Sequence, residues 1–189
     1  MGGPVGHRDP EVAARVALRL GLDEPVLPWH TDRTRPARLA AALGLMAGAL
    51  SKVARDVTLS DDLREGVPGR GGSTAMAHKH NPVAAVSVLA CSKRVPGLVA
   101  TMLAAMEQEH ERAAGAWQAE WGTLTELLRL TGSATAWARD MLEHLEVDSD
   151  AMRAGAGADP DLGASSVLID RALEAHRALG ERSQEASAR

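Results

Sequence analysis

The sequence predicts an all-α protein built as a bundle of long helices. Its 189 residues are 45% hydrophobic, yet they include no Phe, no Tyr and only four Trp. Ala, Leu, Val and Met must therefore form the core, and a core of this kind favours close helix packing over sheets rich in aromatic residues. Three long segments also carry apolar residues at spacings of three and four, the period of one helix face.

The first long helix is predicted from Arg38 to Val57. Its apolar residues repeat at the a and d positions of a heptad, and they are Leu39, Leu43, Met46, Leu50, Val53 and Val57. A narrow stripe of this kind buries best in a bundle that other subunits complete. We therefore expect the bundle to assemble through inter-subunit helix packing.

Two further long helices are predicted. One runs from Val83 to about Ala114, where Pro96-Gly97 predicts a kink rather than an end. The other runs from Leu124 to about Leu145. Shorter helices are predicted at Glu11–Leu22 and Ala164–Leu179. The stripe of the third long helix consists of Leu124, Leu127, Thr131, Ala134, Ala138, Met141 and Leu145.

These elements divide the chain into three segments. Residues 1–36 contain a short helix and a proline-rich loop that leads into the bundle. Residues 37–154 form the central helical bundle and include a polar loop at residues 66–82. Residues 155–189 contain a linker, a short C-terminal helix and a tail that we expect to be frayed.

Charge and cysteine content exclude several classes of protein. The net charge is −4, with 21 basic and 25 acidic residues and no continuous basic stripe, so nucleic-acid binding is not predicted. The single Cys91 excludes an intrachain disulfide and fits a reducing compartment. The polar N-terminus does not read as a signal peptide, and the longest apolar run, Pro82–Cys91, is too short to span a bilayer. We expect a cytoplasmic protein without a membrane partner.

The polar loop Gly71–Pro82 carries the chemistry that the sequence offers. Its glycines allow backbone N–H groups to turn toward one point, where they bind an anion or stabilise an alkoxide. Lys79 and Asn81 share one side of an extended segment, and Asn81-Pro82 is a pattern for the start of the next helix. Together these groups would hold a carboxylate and remove a proton beside it. The alternative is a solvated loop that ends in a helix cap.

This loop closely resembles that of the fumarase/aspartase superfamily, whose pattern reads Gly-Ser-Ser-x-Met-Pro-x-Lys-x-Asn-Pro. Thr74 stands where the pattern has its second Ser, and Ala77 stands where it has Pro, which predicts a more mobile loop. The positions that match are Gly72, Ser73, Met76, Lys79, Asn81 and Pro82. The pattern is long and specific, so the match favours the functional interpretation of the loop.

Other segments resemble the bacterial 3-carboxy-cis,cis-muconate cycloisomerases within that superfamily. They are Leu27–Arg35, Arg94–Leu98, Gln108–Arg112 and Trp117–Trp121, and the resemblance covers roughly Gly2–Arg153. Adenylosuccinate lyase is the nearest competitor. Asp32 and Thr34 depart from the family stretch, which has Gln and Asp in their places.

The resemblance implies an isomerase that closes 3-carboxy-cis,cis-muconate into 4-carboxymuconolactone, a step of the β-ketoadipate pathway. It implies that Ser73 transfers the proton, that Lys79 and Asn81 hold a substrate carboxylate, and that Met76 packs the loop onto the substrate. Thr74 is a further substrate-binding candidate. No metal or organic cofactor is required, the substrate is a small tricarboxylate, and the family assembles as a homotetramer.

Several other residues have two interpretations. Arg33 either binds a substrate carboxylate bidentately or is solvated at the head of a helix. Trp117 and Trp121, one helical turn apart, are more often core than ligand platform. The charged run Glu109–Arg112 is either a cluster at the mouth of the site or a solvated helix face. His78 and His80 lack further ligands at a metal spacing, so a metal site is not predicted.

The resemblance also implies that the active site is incomplete in this chain alone. In the superfamily each site combines three separated segments from three subunits, and the chain resembles only the C-terminal part, with the third segment. Gly2–Gly6 reads as a mid-protein stretch. Three hypotheses follow: the C-terminal part of a cycloisomerase, a related lyase of the adenylosuccinate lyase kind, or a non-catalytic helical assembly module derived from the family.

Overall fold

The structure, a computed structural model, describes residues 9, 11–26, 30–76, 79–110, 113–157 and 161–187. The features predicted at Gly2–Gly6, Trp29, Ala77, His78, Glu111 and Arg112 lie outside them. The elements of the described residues, in order, are α1 (Glu11–Leu20), α2 (Thr34–Leu59), β1 (Leu63–Glu65), α3 (Val83–Ala104), α4 (Ala116–Glu143), β2 (Leu145–Val147), α5 (Ser149–Ala156) and α6 (Ser165–Ser187). The predicted all-α class is confirmed, because the two strands are only three residues long.

Helices α2, α3 and α4 pack together as the bundle that the sequence predicts. Two buried clusters hold them together. One is formed by Ala54, Val57, Ala84, Ala85, Val88, Ala138 and Met141. The other is formed by Ala40, Ala47, Val95, Met102, Leu127 and Leu130. Every buried member is aliphatic or Met, as a chain without Phe or Tyr requires.

The apolar stripe predicted on α4 is the face that this helix buries. Its five central members, Leu127, Thr131, Ala134, Ala138 and Met141, are buried, and Leu124 is half-buried. Leu145, the last predicted member, lies beyond the end of α4 on β2 and is also half-buried. Helical periodicity therefore identified both the helix and its inward face.

The predicted stripe of α2 is buried only in part: Val57 is buried, and Leu43 and Leu50 pack half-buried against the two clusters. Leu39, Met46 and Val53 of the predicted stripe are 44%, 39% and 38% exposed. Apart from Val57, which belongs to the predicted stripe, the fully buried residues of α2 are all small: Ala37, Ala40, Ala47 and Ala54. Small side chains allow α3 to approach closely, since a β-carbon added at Gly44 would lie 3.0 Å from Cγ2 of Val99. Leu39, Met46 and Val53 are left half-exposed on the neighbouring face.

Helix ends differ from the predicted ones where local contacts decide them. α3 continues through Pro96, as predicted, but ends at Ala104 instead of Ala114. α4 begins at Ala116, eight residues before the predicted Leu124. Its start is fixed by Gln118, whose side-chain oxygen accepts a hydrogen bond of 3.0 Å from the backbone N–H of Gly115. Gly115 has φ +92°, which only glycine adopts readily.

Two short strands follow bundle helices, β1 after α2 and β2 after α4. β1 pairs antiparallel with β2 in the register Leu63↔Val147, Arg64↔Glu146, Glu65↔Leu145. Beyond the ladder, the Gly66 N–H donates to the carbonyl of His144 at 2.8 Å. Neither strand was predicted, because three residues carry no usable period. The pairing fixes Glu65 beside the start of α3.

The chain forms two compact units that divide between Val147 and Asp148. In the second unit, Asp148 caps α5 through a hydrogen bond of 2.9 Å from the Ala151 N–H. α6 extends to Ser187, beyond the predicted end at Leu179. Its apolar side chains Val167, Leu168, Ile169, Leu173 and Leu179 are exposed. The division of the sequence at residues 36 and 154 stays a prediction.

Helices α2 and α3 are long and apolar enough to cross a membrane by the criteria of length and composition. The core helices of a bundle satisfy the same criteria. Both helices supply buried residues to the two clusters described above.

Candidate functional site

The two ends of the Gly71–Pro82 loop are joined at its base. The carbonyl of Gly71 accepts hydrogen bonds from the backbone N–H of Asn81, at 2.8 Å, and from Asn81 Nδ2, at 3.0 Å. Gly72 and His80 add an antiparallel bridge. We call these four residues the loop base. Gly71 has φ +76°, and a β-carbon on it would lie 2.1 Å from the Asn81 carbonyl oxygen, so the loop base requires glycine there.

Within the loop, Ser73 organises the backbone. Its Oγ accepts hydrogen bonds from the N–H groups of Ala75, at 3.3 Å, and Met76, at 3.1 Å. The Lys79 N–H closes the turn on the Met76 carbonyl at 3.0 Å. The sequence predicted a nest of N–H groups at the glycines. In the structure it is Ala75 and Met76, two and three residues after Ser73, that aim their N–H groups at the serine oxygen, where such donors stabilise negative charge.

The other predicted site residues of the loop lie at its surface. Thr74, Met76, Lys79 and Asn81 are exposed, whereas Ser73 is half-buried. The loop thus presents a cation, two hydroxyls and an amide to its surroundings.

The predicted helix cap at Asn81 is wrong. The N-cap position of α3 is Pro82, and the Asn81 side chain is turned back to Gly71. The cap comes from Glu65 on β1, whose Oε2 accepts from the Ala84 N–H at 3.1 Å and whose Oε1 accepts from the Ala85 N–H at 2.9 Å. A carboxylate satisfies two orphan donors here and complements the positive end of the helix.

Next to the loop base lies a cluster formed by Glu65, Arg70 and Asp140, which we call the Arg70 cluster. Arg70 Nη1 lies 2.5 Å from Asp140 Oδ2, and Nη2 lies 3.2 Å from Glu65 Oε2. A cleft of about 260 Å³ borders it, lined by the segment from Arg64 to Arg70 with Gly72, His80 and Glu146. No local sequence pattern indicates this cluster, because Asp140 lies 70 residues from Arg70 and on another element.

Arg33 lies against Glu120. Its Nε is 2.9 Å from Oε1 and its Nη2 is 2.5 Å from Oε2, while Nη1 donates to the His30 carbonyl at 3.1 Å. The side chains of Arg33 and Glu120 are only 11% and 4% exposed. The interpretation of Arg33 as solvated is therefore wrong. Its carboxylate partner in the structure belongs to the protein, and substrate binding by Arg33 stays a prediction.

Three rings from the segments that carry this ion pair contact one another. Trp117 makes an edge-to-face contact with His30 at a centroid distance of 4.7 Å and another with Trp121 at 5.1 Å. Trp117 is half-buried and Trp121 is 56% exposed. The pair therefore lies at the rim of the fold instead of in its core.

The two departures from the family stretch, Asp32 and Thr34, interact with each other. Asp32 Oδ1 accepts a hydrogen bond of 3.0 Å from the Thr34 N–H at the start of α2. Hydrogen bonding from the Thr34 side chain and then from its backbone lowers the pKa of Asp32 below its ordinary value. These residues thus form a local turn that begins the helix.

Comparison with known proteins identifies relatives of the whole bundle. No family model matches the chain. It is 47% identical to the 3-carboxy-cis,cis-muconate cycloisomerase of Pseudomonas aeruginosa over 159 residues, which are 81% of this chain and 35% of that protein. It is 40% identical to a nitrosuccinate lyase of Streptomyces davaonensis over 161 residues, 82% of this chain and 33% of that protein.

The fold is also similar to a solved structure. The crystal structure of 3-carboxy-cis,cis-muconate lactonizing enzyme from Pseudomonas putida has a TM-score of 0.71 and 40% identity, over 94% of this chain and 42% of that chain. This confirms the predicted bundle of the fumarase/aspartase type. The chain spans between 33% and 42% of the length of these relatives. It belongs to the fumarase/aspartase superfamily and is related there to the C-terminal part of the 3-carboxy-cis,cis-muconate cycloisomerases.

Proposed function

We propose that this chain supplies the proton-transfer loop of an enzyme that converts 3-carboxy-cis,cis-muconate to 4-carboxymuconolactone. The observation that carries the proposal is the closed Gly71–Pro82 loop, in which two backbone N–H groups donate to Ser73 Oγ. The identity to cycloisomerases of this activity supports it. Since the chain spans only part of their length, the remaining site residues come from elsewhere in the complete enzyme.

The proposed reaction is an isomerisation whose atoms balance without a co-reactant. In the forward direction a substrate carboxylate oxygen forms a C–O bond to one carbon of a double bond, and the neighbouring carbon gains a proton. In reverse, a base removes the proton alpha to a carboxylate and the lactone oxygen leaves. The intermediate carries extra negative charge on that carboxylate. Donors aimed at developing charge are usually the largest catalytic contribution.

The loop residues have matching roles. A Ser73 alkoxide formed by loss of the hydroxyl proton is stabilised by the N–H groups of Ala75 and Met76. The Lys79 ammonium, which is exposed, neutralises the substrate carboxylate. Asn81 uses one N–H of its amide on Gly71, and the second N–H remains for the carboxylate. Met76, at 44% exposure, packs on the substrate.

Thr74 is a second candidate for the proton-transfer residue. Its hydroxyl is exposed, whereas Ser73 Oγ already accepts two bonds that hold the turn. Substitution separates the two roles. If Ser73 transfers the proton, Ser73→Ala abolishes turnover and Thr74→Val weakens substrate binding. The opposite pattern would assign proton transfer to Thr74 and leave Ser73 as the residue that shapes the loop.

The complete enzyme is proposed to be a cytoplasmic homotetramer that acts on a small tricarboxylate, without nucleic acid or membrane as a partner. The half-exposed stripe of Leu39, Met46 and Val53 on α2 supports the assembly, because a second helix from another subunit would bury it. The single Cys91 fits a reducing compartment.

A chimera provides the test. The N-terminal part of the Pseudomonas putida enzyme is joined to this chain at the start of their common region, and loss of 3-carboxymuconate absorbance is followed. We expect turnover by the chimera and little or none by the isolated chain. An assembled but inactive chimera, or full activity in both Ser73→Ala and Thr74→Val, would overturn the proposal. Strong turnover by the isolated chain would refute the need for the missing segments.

A related lyase is the second candidate function. The identity of 40% to a nitrosuccinate lyase shows that this sequence also resembles an enzyme that is named for a different substrate. The same chimera should therefore be offered nitrosuccinate and adenylosuccinate. Preference for either would select the lyase, and a chimera that assembles but turns over none of the three would favour a non-catalytic assembly module.

A further inference from the structure

The start of α3 and the loop base are connected by one buried carboxylate. Glu65, whose side chain is 4% exposed, accepts from the N–H groups of Ala84 and Ala85 at the first turn of α3. Its Oε2 also lies 3.2 Å from Arg70 Nη2. A charge that receives two backbone donors is held rigidly, so Glu65 fixes where Arg70 lies relative to the helix.

Arg70 connects this carboxylate to α4. Its Nη1 donates to Asp140 Oδ2 at 2.5 Å, and its own backbone N–H donates to the Val67 carbonyl at 3.2 Å. The Arg70 side chain is 19% exposed, and its Nε and Nη2 are buried. The Nη2 contact to Glu65 is an ion pair by distance without the alignment of a hydrogen bond, so the Asp140 contact is the directional one.

The charges of the cluster also explain why Arg70 is required there. Glu65 and Asp140 bring two negative charges together, and His144 Nδ1 lies 3.4 Å from Asp140 Oδ1 on the solvent side. Arg70 supplies one full positive charge, and the N-terminus of α3 supplies a partial one. Loss of the guanidinium would leave the buried carboxylate of Glu65 without its cation and Asp140 without its arginine donor, which is costly.

Arg70 is covalently joined to the loop base. The next residue, Gly71, has its carbonyl held by both the backbone and the side chain of Asn81. Gly71 has a φ of +76° and no space for a β-carbon. It therefore has little conformational freedom to compensate for a shift of Arg70. A displacement of Arg70 would therefore move both ends of the loop.

We propose that Arg70 is a positioning residue. Together with Glu65 and Asp140 it fixes the position of the loop base relative to α3. This position orients Ser73 and Lys79 toward the substrate. The proposal rests on the proposed function for its catalytic consequence. The fixing of the loop itself does not depend on that function. Misplacement of reacting groups by about 1 Å costs on the order of 100-fold in rate, so a remote residue of this kind has a measurable effect.

The first experiment measures amide hydrogen exchange in the full chain. Arg70→Met is compared with Arg139→Met, which removes an exposed arginine of α4 that pairs with Glu143. We expect the Asn81 amide to exchange at least about tenfold faster in Arg70→Met, while the amides around Leu127 stay protected. The control should change neither region. Unchanged exchange of Asn81 in Arg70→Met would overturn the proposal.

The second experiment measures catalysis in the chimera. Positioning predicts that Arg70→Met lowers kcat per folded site by about tenfold or more and changes KM by less than about threefold. Arg70→Lys should recover part of the rate by keeping the charge. A purely structural role would lower the number of folded sites and leave kcat per site intact, and that result would overturn the positioning role.

Two further outcomes can be told apart. If Arg70→Met loses its helical circular dichroism, Asp140→Asn is tested in its place, because it removes the charge that Arg70 contacts and nearly preserves the shape of the side chain. This variant must also speed exchange of the Asn81 amide and lower kcat, by smaller factors. If the unsubstituted chimera is inactive toward 3-carboxymuconate, the proposed function fails, while hydrogen exchange still decides whether Arg70 fixes the loop.

Discussion

The carboxylate of Glu120 lies in the fork of the Arg33 guanidinium, with Nε 2.9 Å from Oε1 and Nη2 2.5 Å from Oε2. The two residues are 87 positions apart and tie the segment before α2 to the first turns of α4. Because both side chains are nearly buried, removal of one partner leaves an uncompensated charge.

Glu120→Leu should therefore destabilise the chain by about 3 kcal/mol, and the double variant Arg33→Met/Glu120→Leu should recover much of this loss. Urea unfolding followed by circular dichroism measures both. Glu143→Leu, which breaks an exposed pair with Arg139, is the control and should change stability by less than about 0.5 kcal/mol. A double variant as unstable as the single one would show that the pair contributes through shape instead of charge.

Gly71 and Gly69 provide a matched pair of substitutions at the loop. Both have φ +76°, but a β-carbon at Gly69 meets nothing within 4 Å, whereas one at Gly71 would lie 2.1 Å from the Asn81 carbonyl oxygen. Gly69→Ala should cost about 1 kcal/mol for the left-handed backbone alone.

Gly71→Ala should cost clearly more, because the loop base must open to admit the methyl group. The measurement is the urea midpoint together with the exchange rate of the Asn81 amide. Equal effects of the two substitutions would mean that the loop base relaxes without strain, and the requirement for glycine at Gly71 would then come from its φ angle only.

Thr131 offers a stabilising substitution. Its side chain is fully buried on α4, and its Oγ1 has no hydrogen-bond partner among the described residues. Thr131→Val replaces the hydroxyl by a methyl group of similar shape and should raise stability by about 1 kcal/mol. Thr131→Ala removes the same hydroxyl but leaves a cavity, so it should not stabilise. A loss of stability in Thr131→Val would reveal a partner for the hydroxyl.

Asp32 makes the stability of the turn before α2 depend on pH in the acid range. Hydrogen bonds from Thr34 lower its pKa in the folded state below the ordinary value of 3.8. Its contribution to stability is therefore fully present above the unfolded-state pKa and is lost as the pH falls through the lower folded-state pKa. The carboxyl resonance of Asp32 in NMR should titrate below 3.8. Thr34→Val should raise that pKa, and an unchanged titration would exclude the Thr34 hydroxyl as its main cause.

The sequence was sufficient to predict the three bundle helices, because their apolar residues recur over more than five turns. It was insufficient to choose the exact buried face of α2. That face combines Leu43, Leu50 and Val57 of the predicted stripe with a small stripe of Ala40, Ala47 and Ala54, and it leaves Leu39, Met46 and Val53 half-exposed. The choice depends on Val99 of a neighbouring helix, which approaches the small stripe at Gly44, and no local pattern contains that contact.

The loop of the candidate site was predictable because its residues are contiguous and their order is specific. The contacts from the rest of the chain that hold the loop and its neighbouring helices in place were not predictable. The cap of α3 was assigned to Asn81 from sequence spacing, but Glu65 performs it from 19 and 20 positions away. Glu120 and Asp140 were missed for the same reason, since a charged residue on a helix usually faces solvent and only the tertiary fold gives each of them an arginine.

The edge-to-face contact of Trp117 and Trp121 has a spectroscopic consequence. Two indoles at this distance and angle couple their electronic transitions, which adds an exciton couplet to the far-ultraviolet circular dichroism. The chain has no Tyr, so its ultraviolet emission comes from its four Trp alone. Because His30 touches Trp117, a movement of the segment that carries His30 would change the surroundings of Trp117 and so its emission. The protein thus contains an intrinsic optical reporter of the segment that leads into α2, which requires no added label.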